Sequence, residues 1–253
     1  MGSYQQKVAG LAVYGNNQNG SAFQIVLVHG AIDRAAGMIR IARCLKEYEV
    51  IRYDRRGYGR SAHAPATESF AQQIDDLTAV IGDKPTVVFG HSYGGVIALA
   101  LATQRNSALR AVVTFEAPRA WEEWWPAPPP DDVNPGDAAE HFTRRVIGDD
   151  RWEKLAEVVQ QRRRSEGTLM VEELRAQVTR RYDPKQIDIP LIVGVGQRSG
   201  DRAQRAASAT AKEGQNSRLV TIDGAGHAAP MTHPEAVADL IHLAVTEAGI
   251  TNS

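Results

Sequence analysis

The stretch Thr86-Val87-Val88-Phe89-Gly90-His91-Ser92-Tyr93-Gly94-Gly95-Val96-Ile97-Ala98-Leu99-Ala100-Leu101-Ala102 decides how this 253-residue chain is read. A β-prone apolar run leads into Gly-x-Ser-x-Gly, and a helical run rich in Ala and Leu follows at once. A turn that tight forces its serine into a strained backbone conformation. Only glycines two positions to either side let strand and helix approach closely enough. Ser92 is then expected to stand at the carboxyl end of a strand, where open α/β sheets bind ligands. The alternative is a turn serine whose glycines serve packing alone.

Outward from this turn the same alternation repeats. Apolar runs at 25–28, 50–53, 111–115, 191–195 and 219–222 read as further strands, with helical stripes between them. Met38, Ile41 and Leu45 share one face, as do Phe70, Ile74, Leu77 and Ile81. The pattern predicts an α/β fold, a mostly parallel doubly wound sheet with helices on both faces. Part of 7–13 is expected as a hairpin or edge strand, with a polar turn at 16–20. After Phe115 the alternation fails for roughly 70 residues, too long for an ordinary crossover. Residues 118–185 are therefore expected to form a small helical insertion in a core built from 1–117 and 186–253. The insertion opens with Trp121-Glu122-Glu123-Trp124-Trp125-Pro126-Ala127-Pro128-Pro129-Pro130, whose prolines favour extended backbone. Three helices are expected next, with Asp137 and Asp150 as caps, Gly148 and Gly167 as stops, and Leu169, Leu174 and Val178 on the third. Arg162-Arg163-Arg164 reads as a solvated helix face or dipole partner.

Composition narrows the function. Lys and Arg number 29 against 30 Asp and Glu, a net charge of −1, which favours a small or neutral partner over nucleic acid or an anionic membrane, although a local patch can hide in a neutral total. The single cysteine, Cys44, excludes an internal disulfide and fits a reducing compartment; its place on an apolar stripe predicts burial. No apolar run approaches the ~20 residues of a membrane span. The opening Met1-Gly2-Ser3-Tyr4-Gln5-Gln6 has neither a signal-peptide pattern nor a myristoylation motif, so a soluble cytoplasmic protein is expected. No His, Asp or Glu cluster has metal-ligand spacing, and no dinucleotide or phosphate-loop pattern occurs, so neither metal nor cofactor is expected.

Four motifs in order, His29-Gly30, Asp54-Arg55-Arg56-Gly57-Tyr58-Gly59-Arg60-Ser61, Gly90–Gly94 and Gly224-Ala225-Gly226-His227, make the chain resemble the α/β-hydrolase superfamily over nearly its whole length. The resemblance implies that Ser92 is a nucleophile on an elbow, that the backbone N–H groups of Ala31 and Tyr93 form an oxyanion hole, that the 54–61 loop is scaffold, and that the inserted block is a lid. A serine hydroxyl needs a base to take its proton. Of the seven histidines (His29, His63, His91, His141, His227, His233 and His242), His227 follows a predicted strand in a glycine-rich loop and matches the family's catalytic histidine.

The third member must be a carboxylate that orients the imidazole. The family's usual place for it, after the seventh strand, holds Ser199, which carries no charge. Some members place the acid after the sixth strand, and there this chain has Glu116. Glu116 is the expected acid. Asp201 is the alternative, its ordinary reading being a cap on the helix that follows. Glu116 has its own ordinary reading, an ion pair with Arg119. Trp121, Trp124 and Trp125 either wall a substrate pocket or pack the insertion onto the core.

The expected function is cofactor-independent serine hydrolysis of an ester or thioester of a small organic molecule. The alternatives are lyase, C–C bond hydrolase or cyclase chemistry in the same pocket, or a ligand receptor without turnover. Oligomeric state is left open.

Overall fold

The computed structural model describes residues 3–16, 21–64 and 70–251. Of the expected polar turn, 17–20 lie outside the described residues, as do Met1 and Gly2 of the opening segment.

The chain begins with a hairpin of β1 (Ser3–Val8) and β2 (Leu11–Asn16), then runs through β3 (Gln24–Val28), α1 (Ile39–Cys44), β4 (Glu49–Tyr53), α2 (Phe70–Ile81), β5 (Thr86–His91), α3 (Tyr93–Thr103) and β6 (Leu109–Phe115). Four helices follow away from the sheet: α4 (Pro135–Ile147), α5 (Asp149–Glu153), α6 (Glu157–Ser165) and α7 (Gly167–Thr179). The chain then returns through β7 (Leu191–Gly196), α8 (Asp201–Glu213), β8 (Ser217–Ile222), α9 (Ala229–Thr232) and α10 (Pro234–Glu247). The eight strands form one sheet in the order β1-β2-β4-β3-β5-β6-β7-β8. Only the β1/β2 and β2/β4 pairs are antiparallel.

Both faces of the sheet are buried because successive side chains alternate between two cores. Val26 and Val28 of β3 join α2, α3 and Ala207 of α8 on one face. Ile25 and Leu27 join α1 and α10 on the other. Helix α3 is apolar on every side and buried along nearly its whole length, as its Ala and Leu run requires. The sheet order reverses at β3, with β4 on one side and β5 on the other. This makes the crevice beyond the carboxyl ends of β3 and β5 the switch point where ligands bind in such folds.

The inserted block differs in detail from its expected form. It has four helices, not three. Asn134, not Asp137, caps α4, its side chain accepting the Asp137 N–H at 3.1 Å. Gly148, at φ +87°, ends α4 as expected and also begins α5, which leaves Asp150 inside the first turn. Gly167 starts α7 rather than stopping α6, and it is a glycine because a Cβ there would strike the Pro135 carbonyl. The arginine run lies in the last turn of α6, but only Arg162 is exposed. Arg163 donates to the Ile32 carbonyl and Arg164 pairs with Asp137 and Glu140. Cys44 is half-buried, its Sγ against the Arg40 carbonyl. Among the described residues no helix is long and apolar enough to cross a membrane.

Candidate functional site

Strand β5 delivers Ser92 to the switch point in a conformation few residues adopt, φ 52° and ψ −121°. Such a backbone costs about 1–3 kcal/mol and persists only where its surroundings fix it. The Ser92 N–H donates to the Phe115 carbonyl at 2.9 Å, tying the turn to the end of β6. A Cβ on Gly94 would run into the carbonyls of Val28 and His29, and one on Gly90 into the backbone of Gly94 and Gly95. The two motif glycines thus let α3 start against the end of β3. Ala31 and Tyr93 line the same cavity as Ser92.

Glu116 leaves β6 with a positive φ of its own, 54°, and its N–H donates to the Gly194 carbonyl at 3.0 Å. The twist turns its side chain toward β7 and β8. Oε2 lies 2.7 Å from Nδ1 of His227; Oε1 accepts the Gly196 N–H at 3.0 Å and the Ser199 hydroxyl. The Glu116 side chain is 2% exposed and that of His227 30%, so the acid is buried beneath a ring that reaches the cavity. Burial alone would raise the Glu116 carboxyl. The hydrogen bond and charge of His227, with the Ser199 and Gly196 donors, outweigh it and hold the group below the usual carboxylate range. With Nδ1–H donating to the carboxylate, the other ring nitrogen of His227 is left as an acceptor.

Asp201 does not meet this ring. It is exposed in the first turn of α8, where Gly200 holds the cap position. Arg119, offered as a partner for Glu116, instead binds Glu122 and Glu213. Sequence reasoning gave Ser199 no part beyond its missing charge, yet its hydroxyl holds the oxygen of Glu116 that faces away from His227.

His91 is a second contact that the motif did not announce. Its Nε2–H donates to the His227 carbonyl at 2.9 Å, and the two rings lie 4.7 Å apart. Burial, and then the neighbouring His227, push His91 down to about 3, so it stays neutral. The 54–61 loop is scaffold. Asp54 accepts the N–H groups of Ala35 and Arg60, while fully buried Arg55 donates to the carbonyls of His29 and Gly30 and lies between the rings of Tyr58 and Tyr93.

Above Ser92, Glu116 and His227 lies a cavity of about 760 Å³, roofed by α4 and α7. Its wall is mostly apolar, with Val133, Phe142, Met170 and Leu174, and also carries His141, Arg145 and Arg202. Of the three tryptophans only Trp125 lines it. Trp121 packs edge-on against Tyr182 under the Arg119 guanidinium, and Trp124 against Trp125 and Arg205, so these two serve packing.

The fold agrees with comparisons to known proteins. The model of the alpha/beta hydrolase family matches residues 25–240, and the chain belongs to that family. Lipase LipV of Mycobacterium tuberculosis is 32% identical over 96 residues, 37% of this chain and 36% of that protein. The uncharacterized hydrolase YraK of Bacillus subtilis is 37% identical over 103 residues, 38% of each chain. The chain thus spans well under half the length of these curated relatives. A crystal structure of an alpha/beta hydrolase from Sphaerobacter thermophilus superposes with a TM-score of 0.74 at 24% identity, covering 94% of this chain and 100% of that one.

Proposed function

We propose that the chain is a cofactor-independent serine hydrolase that cleaves an ester or thioester of a small organic molecule. The observation that carries this reading is the 2.7 Å contact between His227 Nδ1 and Glu116 Oε2 beside a strained Ser92 on the same cavity. Ser92 attacks the carbonyl carbon while the free nitrogen of His227 takes the hydroxyl proton. The N–H groups of Ala31 and Tyr93 receive the oxyanion, and, being backbone, cost no reorganisation as charge develops. His227 passes its proton to the leaving group, which departs and leaves an acyl-enzyme on Ser92. Water, deprotonated by His227, then releases the acid and restores the serine. Glu116 keeps the imidazole in the required tautomer and stabilises its cation.

Residues 118–185 act in this reading as a lid over a core of 1–117 and 186–253. The lone Cys44 fits a cytoplasmic setting. A fluorophosphonate probe tests the reading: it should label Ser92 in the wild type and nothing in Ser92→Ala. Folded wild-type protein that stays unlabelled and leaves simple p-nitrophenyl esters intact would refute it. Rapid-quench mass spectrometry should also trap the acyl-enzyme, which lyase or cyclase chemistry without acylation does not form.

A further inference from the structure

Two arginines of the cavity wall have no part in the reaction scheme. Arg145 comes from the last turn of α4, and Arg202 from the first turn of α8. They approach the same cavity from the insertion and from the core. Their neighbours are committed: Arg144 pairs with Glu140, Asp149 and Glu153, and Arg205 lies over Trp124. Among the described residues Arg145 and Arg202 have no carboxylate partner, and Arg145 packs over the Phe142 ring at 5.4 Å. Partial burial in the cavity wall lowers the Arg145 guanidinium from its ordinary range, and the positive charge of Arg202 lowers it further, so the two cations repel each other.

The other charges of the wall do not relieve them. Glu116 is held by His227, Ser199 and Gly196, and Asp137 is tied to Arg164. Gly200 and Arg202 also bring the positive end of the α8 dipole into the wall. Two unpaired guanidinium groups over an apolar cavity are stabilised by an anion that joins them, and their forked donors fit a carboxylate.

We propose that Arg145 and Arg202 form an anion subsite, and that the compound cleaved at Ser92 carries a carboxylate at the end remote from the scissile carbonyl, as in a monoester or monothioester of a dicarboxylic acid. This rests on the reading of Ser92 as nucleophile. The net charge of −1 conceals a local positive patch in the cavity wall, and selectivity lies in that wall.

The test compares mono-p-nitrophenyl adipate with p-nitrophenyl hexanoate, which differ only in a terminal carboxylate or methyl group. The wild type should favour the adipate in kcat/KM by about tenfold or more, less so at high salt, and the Arg145→Gln/Arg202→Gln double variant should abolish the preference. Both side chains are exposed enough for the substitutions to leave folding intact. A wild type without the preference, or a double variant that retains it, overturns the subsite. Calorimetry with monomethyl adipate on Ser92→Ala supplies a readout that needs no turnover. If neither p-nitrophenyl ester is hydrolysed, binding alone judges the subsite, and the nucleophile reading fails where the fluorophosphonate probe also leaves Ser92 unlabelled. Binding lost on adding the double substitution supports it, and no binding to Ser92→Ala refutes it.

Discussion

Below the cavity, Ser92, Glu116 and the loop bearing His227 leave β5, β6 and β8 at one end of the sheet and are tied by main-chain hydrogen bonds: Ser92 to Phe115, Glu116 to Gly194, Arg198 to Ala225. Above it, α4–α7 reach the core largely through side chains. Glu173 of α7 receives both terminal nitrogens of Arg55 at 2.5 and 3.2 Å and the Tyr58 hydroxyl at 2.7 Å, Glu166 receives Arg34 at 2.5 Å, and Arg163 reaches the Ile32 carbonyl. A floor built from sheet register holds the groups proposed to react where small displacements are costly, as catalysis demands. A roof held by a few side-chain anchors can change its lining without disturbing that register.

The largest expected effect is on the floor. Glu116→Gln keeps the shape of the side chain but replaces one carboxylate oxygen with a donor, so the imidazole loses both its orientation and its counter-charge. The expected loss is ~10⁴ in kcat with KM little changed. Asp201→Asn, exposed and away from the ring, should lose almost nothing. A steady-state comparison of the two variants on one p-nitrophenyl ester decides it, and the reverse ranking would move the acid to Asp201.

The roof should respond differently. Arg55 is completely buried between two aromatic rings, so Glu173→Ala leaves a charge without its partner and the Tyr58 hydroxyl without its acceptor. Breaking such a buried pair costs about 3–5 kcal/mol, measurable by urea unfolding. Arg144→Ala, in the half-exposed ion cluster of α4 over the Trp152 ring, should shift the unfolding midpoint less. Equal midpoints for the two variants would show that the roof is not anchored through Glu173.

The same division explains what could be read from the sequence. Much of the floor was legible: alternating strands and glycines where backbones must touch follow from local rules, while the choice of His227 and Glu116 followed from the resemblance to the α/β-hydrolase superfamily. Ser199 and His91 were missed as contacts because each acts across strands, and only the register of β5 to β8 brings them to Glu116 and His227. The roof was legible only as an interruption. Its pattern gave one helix too few, since the segment read as one helix after Gly148 divides into α5 and α6, and nothing in a hydrophobic pattern shows that Glu173 faces inward to meet a buried arginine some 118 residues away in the chain. Arg145 and Arg202 were invisible for the same reason, being solvated surface until α4 and α8 face one cavity.

The smallest expected effect links the floor to stability. Folded His91 takes up a proton only near 3, whereas the unfolded chain does so near the ordinary value of 6.5. Its contribution is complete above the unfolded value and is lost as pH falls toward 3, at ~1.4 kcal/mol per pH unit for one proton. Glu116, lowered in the folded state, has the same sign, its contribution present above the unfolded carboxylate range and lost as pH falls through its folded value. His29, pushed well below its ordinary range by burial and then by Arg55, adds a second buried proton site. Urea unfolding between about pH 4.5 and 6.5 should therefore show stability falling with acid by up to two protons. His91→Gln, which keeps a donor for the His227 carbonyl but cannot titrate, should remove one of them. A slope unchanged by that substitution would mean that the folded protein opens the floor enough to protonate His91, and the rigidity that separates floor from roof would not hold.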